Sequence, residues 1–336
     1  MTTATAPVPT PLRIGASACL LGEAVRYDGG HKQCDLLTQS LAGFMTFIPV
    51  CPEVELGLPV PREPIRLELA GADTGSTQQA GIRLVAPGTG RDLTAEMAAF
   101  TEARAIELAE LDLHGYVFKA HSPSCGLHHV PVQGARGRPA KNGQGKFAGA
   151  LTKALPNLPV TQEDGLLKRA TCEAFIAQAF AYRRLRRLFS DRWRMADLEA
   201  FQAREETLLW VHEPAAPAAL AHIMNGPDRQ HPASHTLATA YEHRFLSALT
   251  HTASTGRHVK VLHKTANALK PALGAENWAA LNRAINNYRA RAAPLAAPLS
   301  VIRKHFSEHE SSGLARHMAE QSYFDLHPCE LLPDQS

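Results

Sequence analysis

The chain has 336 residues, 45% of them apolar and 20% charged, and a formal net charge of +3. That balance is the one of a soluble globular protein with room for two ordinary domains. No window approaches about eighteen uninterrupted apolar residues, which excludes a membrane-spanning helix, and the expected location is the cytoplasm.

Residues 1–11, within MTTATAPVPTPL, carry no charge. They have neither the basic start nor the apolar core of a secretion signal and read as a flexible tail. Leu12–Ala18 reads as a short strand ending at Cys19, residues 35–44 suit a helix, and Met45–Val50 reads as a strand with Cys51 directly behind it. VELGLPVPREP, residues 54–64, is a loop by its prolines and glycines. Ile65–Leu69 and Ile82–Val85 are short strand candidates, and Asp92–Asp112 has the apolar spacing of a helix. Gly115–Ala120 is a further strand leading into HSPSCG, residues 121–126. Residues 134–149 are glycine-rich and basic, hence a loop, and LPNLPV, residues 155–160, offers a last strand. Strands separated by helical patterns predict parallel pairing with right-handed crossovers, so residues 12–162 are expected to form a Rossmann-like α/β domain. After Val160 strand signals fade. Residues 163–190, 197–211, 214–225, 235–253, 257–271, 276–291 and 297–308 look helical, giving a mostly α-helical domain over residues 163–336.

Six cysteines occur, at 19, 34, 51, 125, 172 and 329. Cys19, Cys51 and Cys125 each fall behind a strand candidate. Ligands of open α/β sheets bind beyond the carboxyl ends of strands, so these three thiols are expected on one rim. Three thiolates can hold a [4Fe–4S] cube and leave its fourth iron open; a tetrahedral zinc site and plain buried thiols are the competing readings, since no C-x2-C spacing occurs. Flanking residues favour a bound group. Gly22, Gly29 and Gly30 let backbone approach a bulky ligand, and Arg26 and Asp28 could orient it. Glu53 lies two residues past Cys51, while Ser122 and Ser124 stand beside Cys125. Lys119 precedes that last loop, and His128 and His129 follow it. Cys34 could approach the site, and Cys172 suits a helix core.

The segments SACLLGEAVRYDGG, PVCPEVELGLPVPREP and KAHSPSCG closely resemble the thiouracil desulfidase family, with its three landmarks in order over residues 12–160. The resemblance implies that Cys19, Cys51 and Cys125 bind a [4Fe–4S] cluster with one iron lacking a protein ligand. It also puts Glu53 and Ser122 at polar catalytic positions. LLWVHEP, RHVKVLHKTANALK, INNYRARAAPLAAPLSVIRKHF and QSYFDLHP resemble a second, formerly uncharacterised helical family over residues 205–328. The fusion of the two is similar to bacterial tRNA 4-thiouridine desulfidases, which implies tRNA containing 4-thiouridine as partner and substrate, with free 2-thiouracil as the alternative; a cluster-bearing regulator without turnover is a third reading. This chain has HEP at 212–214 where the helical family usually has HSP.

Charge is unevenly spread. Residues 1–165 hold 14 basic and 16 acidic side chains, residues 166–336 hold 21 and 16. The densest run contains Arg183, Arg184, Arg186 and Arg187, and Lys260 and Lys264 share a helix face at i,i+4. Such surfaces suit RNA backbone or solvent alike; with the fusion they point to RNA, and no DNA partner is expected.

Overall fold

Leu12, Ile14 and Ala16 are all buried in the first strand, and every residue of GYVF at 115–118 is buried, as expected of strands covered on both faces. The computed structural model describes residues 11–69, 81–134, 140–226, 235–308 and 313–325. The expected tail at 1–11 (apart from Pro11), Cys329 and part of the loop at 134–149 lie outside the described residues. The chain divides into two units, Met1–Phe175 and Ile176–Ser336.

In the first unit, strands β1 (Leu12–Ser17), β2 (Met45–Val50), β6 (Gly115–Phe118) and β9 (Val160–Gln162) form one sheet in the order β2-β1-β6-β9. All three pairings are parallel, with Ser17 opposite Val50 and Ala16 opposite Val117. Pro49 is tolerated because β2 is an edge strand. Tyr116 and Phe118 of β6 pack on Phe147 of helix α3 (Lys146–Ala154), ring centroids 5.7 and 6.1 Å apart.

The expectation of an all-parallel sheet holds for this sheet and fails for the second, where only residues Leu67 and Glu68 pair in parallel, with Val132 and Gln133. Strands β3 (Arg66–Leu69) and β4 (Ile82–Ala86) pair antiparallel in a second, mixed sheet. Its order is β5-β4-β3-β7-β8, with β5 (Arg91–Asp92), β7 (Val130–Gln133) and β8 (Ala140–Gly143). Leu67, Leu84, Val130 and Val132 share its core with Met97 of helix α2 (Thr94–Glu110). Three local readings need correction. Residues 134–149 contain β8 and the start of α3 rather than loop alone. Residues 36–40 wind as one π-helical turn in place of a longer helix. The loop after Cys51 opens with the short helix α1 (Pro52–Glu55), whose first turn takes Pro52 without losing a needed N–H.

Helix α4 (Glu163–Leu166) follows β9, and α5 (Arg169–Ser190) crosses the boundary between the units. The second unit continues with α6 (Met195–His212), α7 (Ala216–Met224), α8 (His235–Leu249), α9 (Thr255–Arg289), α10 (Ala296–Glu308) and α11 (Gly313–Ala319), close to the helical pattern read above. The expected break between 271 and 276 is a kink within α9 at Gly274, φ 70°. Phe201, Tyr241 and Phe245 form its aromatic core, with Phe201 and Phe245 centroids 5.3 Å apart. Among the described residues no helix is long and apolar enough to cross a membrane.

Candidate active site

Beyond the carboxyl ends of β1, β2 and β6 lies a cavity of about 330 Å³. Cys19, Cys51 and Cys125 all line it, as do Glu53, Ser122, Arg26 and Lys119. Each thiol arrives by its own route. Cys19 sits in the 3₁₀ turn Ala18–Leu21 immediately after β1. Cys51 is the N-cap of α1, where its N–H donates to Glu55 Oε1 at 2.9 Å. Arg104 of α2 holds the other oxygen of Glu55 at 2.8 Å, so α1 is tied to the long helix behind it.

Cys125 is set by close packing of its loop on α3. Carbonyls of Pro123, Ser124 and Gly126 accept the N–H groups of residues 145–148, capping the start of α3. A Cβ on Gly145 would collide with the Ser124 backbone, and one on Gly126 with Val130 and the Ser122 carbonyl. The two glycines therefore let the HSPSCG loop lie directly on the helix. Ser122 Oγ accepts from the backbone N–H of Cys125 at 3.1 Å and of Ser124 at 3.3 Å. Both its lone pairs are thereby occupied, and only its O–H remains to donate.

Burial pushes the Cys19 thiol up to about 11; the Cys51 charge adds to this, and Lys119 and Arg26 oppose it. Cys125 is raised well above its ordinary range, mainly by burial, and the Cys51 and Cys19 charges push the same way. Burial also raises Cys51, against the pull of nearby N–H groups and Arg62. Three desolvated thiols in one another's fields, bordered by Lys119, Arg26 and Arg62, suit a cationic metal group that replaces their protons. Among the described residues no three His, Cys, Asp or Glu side chains converge on one point to hold a single ion. A cluster takes each thiolate on a different iron, so its ligands need not converge.

Glu53 faces the cavity with its side chain 13% exposed. Its Oε2 accepts from Arg62 Nε at 2.9 Å and Nη2 at 2.6 Å, and its Oε1 accepts from Ser124 Oγ at 2.8 Å. A carboxylate has about four acceptor positions, so one remains, on Oε1. Lys119 is held by Glu163 at the start of α4 and by the Ala120 carbonyl, while its own N–H donates to Ser17 Oγ at 2.9 Å. Arg62 and Glu163 escaped the sequence reading. Arg62 was visible inside VPREP but had no spacing to single it out.

The remaining candidates fall elsewhere. Ser124 is fully buried behind Glu53, and Asp28 lies outside the cavity, 3.4 Å from Arg26. Cys34 is half-buried and off the cavity wall, and Cys172 is buried. His128 and His129 do not line the cavity; the N–H of His128 donates to Gln162 at 3.1 Å. In the second unit Arg184 is bound by the fully buried Glu205, and Arg183 lies over the Phe180 ring at 5.1 Å. Arg186, Arg187, Lys260 and Lys264 are exposed.

Residues 14–163 match the family described as 2-thiouracil desulfurase, and residues 207–328 match the family described as protein of unknown function DUF1722. Among solved structures, a [4Fe-4S]-dependent thiouracil desulfidase, TudS, is 30% identical, covering 46% of this chain and 93% of that one with a TM-score of 0.36. No curated protein matches the chain. By these matches residues 14–163 form a domain of the 2-thiouracil desulfurase family, followed by a DUF1722 domain over residues 207–328.

Proposed function

We propose that the protein removes sulfur from a thiolated pyrimidine of the 2-thiouracil type, and that Cys19, Cys51 and Cys125 hold a [4Fe–4S] cluster with one iron free of protein ligands. The observation that carries this is the meeting of three thiols and a carboxylate with one unspent acceptor position at a single cavity. When bound, the cluster supplies a soft Lewis acid suited to a thiocarbonyl sulfur. Glu53 Oε1 takes a proton from the attacking water. Ser122, with only its O–H to give, donates to a heteroatom on the base edge. Arg26 and Lys119 offset negative charge at the cavity wall. The net change replaces C=S by C=O and releases hydrogen sulfide from one water, with no electron transferred.

A second reading, 4-thiouridine within tRNA, is favoured by the exposed Arg186 and Arg187 on α5 and Lys260 and Lys264 on α9. An RNA substrate would need its base turned outward to enter the cavity. The test is anaerobic reconstitution, with iron and acid-labile sulfide counted, followed by single-turnover sulfide release from 2-thiouracil and from 4-thiouridine tRNA side by side. About four iron per chain with release from the free base is expected. Release from tRNA alone would replace the first reading by the second, and release from neither would end both.

A further inference from the structure

The three cysteine-bearing segments are far apart in sequence, yet one side chain touches or reaches all of them. Arg62 is nearly enclosed, its side chain 6% exposed. Its Nη2 donates to the Val25 carbonyl at 3.0 Å, and its own N–H to the Tyr27 carbonyl at 2.8 Å, both in the segment that begins at Cys19. Nε and Nη2 together hold Glu53, two residues from Cys51. Through Glu53 the chain of bonds continues to Ser124, next to Cys125. Nη1 donates to the Pro59 carbonyl at 3.2 Å, which fixes the loop that carries Arg62 itself. Four of the five guanidinium N–H groups are thus committed.

We infer that Arg62 is a positioning residue: by taking both lone pairs of Glu53 Oε2 it leaves Oε1 as the proton acceptor, and it locks the Cys19, Cys51 and Cys125 segments into one wall. This rests on the desulfidase reading for its consequence in turnover, but the locking stands apart from it. A lysine keeps the charge and cannot supply two N–H groups from one rigid plane to Oε2 and a third to Val25. Small guanidinium ions can enter the space left by an alanine and restore the planar fork.

The test compares wild type, Arg62→Ala and Arg62→Lys. In cluster-free protein, the rate at which iodoacetamide alkylates Cys51 and Cys125 is measured by mass spectrometry, with and without millimolar guanidinium. On loaded protein, single-turnover sulfide release is measured with iron counted in the same sample. Alkylation is expected to rise about tenfold in both variants, and guanidinium should reverse the rise in Arg62→Ala only. Turnover per iron should fall about 10- to 100-fold, in kcat rather than KM, and recover in parallel with guanidinium. Unchanged alkylation in both variants overturns the locking. Wild-type turnover per iron in either variant overturns the positioning of Glu53. Loss of turnover that guanidinium does not restore, with iron retained, also overturns it. If wild type itself releases no sulfide while alkylation behaves as expected, the desulfidase reading fails and the lock remains.

Discussion

The two units each contain a glutamate held by an arginine and a serine, and the two arrangements serve opposite ends. In the second unit Glu205 is fully buried; Arg184 grips one oxygen at 2.6 Å and the other at 2.7 Å, and Ser322 adds 2.6 Å to the second. The charge is neutralised symmetrically and sealed in, joining α5, α6 and the turn Ser322–Phe324. In the first unit Arg62 aims two of its N–H groups at a single oxygen of Glu53, and the other oxygen, held by Ser124 alone, keeps one acceptor position. Identical residue types therefore give a structural bolt in one place and an unspent acceptor in the other. The difference lies in which oxygen each N–H meets, and no residue inventory contains it.

The largest expected effect lies within the first unit, between the cysteines at the cavity and one away from it. Changing Cys19, Cys51 or Cys125 to Ala should abolish iron loading, read by iron and labile sulfide analysis, whereas Cys172→Ala should load as wild type; full loading in all three would remove the proposed ligands. Next come the two carboxylate networks. Glu53→Gln should keep its iron and its fold while losing about 10²–10⁴ in single-turnover rate. Arg184→Ala, which removes the cation paired with the buried Glu205, should cost roughly 3–5 kcal/mol in chemical denaturation and leave turnover of a free base by the folded protein intact. Were Glu53→Gln to unfold the protein and Arg184→Ala to melt normally, the comparison would be inverted.

A smaller effect is expected from Arg186→Ala combined with Arg187→Ala, which removes exposed charge only. Affinity for tRNA, measured by filter binding at several salt concentrations, should weaken and its salt slope should drop by about two. Equal slopes would move any RNA surface off α5. The smallest effect is a pH dependence confined to the second unit. Burial, aided by the Arg257 charge and opposed by a bond to the His251 carbonyl, lowers the pKa of His212. Above the ordinary histidine value near 6.5 both folded and unfolded states hold it neutral. As pH falls through that value the unfolded chain takes up a proton the folded chain refuses, so stability declines until the depressed folded value is reached. The decline of melting temperature between pH 7 and pH 5 should be shallower in His212→Asn; an unchanged slope would place the titration elsewhere.

Much of this was legible in the sequence, and the gaps have physical causes. The three cysteines could be placed on one rim because each falls just behind a strand candidate, and strands β1, β2 and β6 are indeed neighbours. Its place beside Cys125 makes Ser124 a candidate for ligand contact, but its hydroxyl serves Glu53, a partner 71 positions away that no local pattern reveals. Arg184 was read with its neighbours as one basic face because a charge run does not show which member an interior carboxylate will claim. The mixed second sheet was missed because β3 and β4 give the same apolar signal whether paired parallel or antiparallel. The start of α3 was hidden in a glycine-rich stretch, where Gly145 marks contact with the Cys125 loop instead of a break in structure.

The order in which the cavity's parts occur along the chain has a consequence for biosynthesis. Every residue that lines it falls between Ser17 and Cys125, and the acid that secures Lys119 is Glu163. A ribosome therefore delivers the whole constellation before it reaches Ile176, the first residue of the helical unit. At roughly 5–20 residues per second, translating residues 176–336 takes on the order of 10–30 s. During that interval the nascent first unit can fold and bring its three reduced thiols together around the cavity. On the proposed cluster reading, loading of the site can begin on the ribosome itself, ahead of any contribution from the second unit.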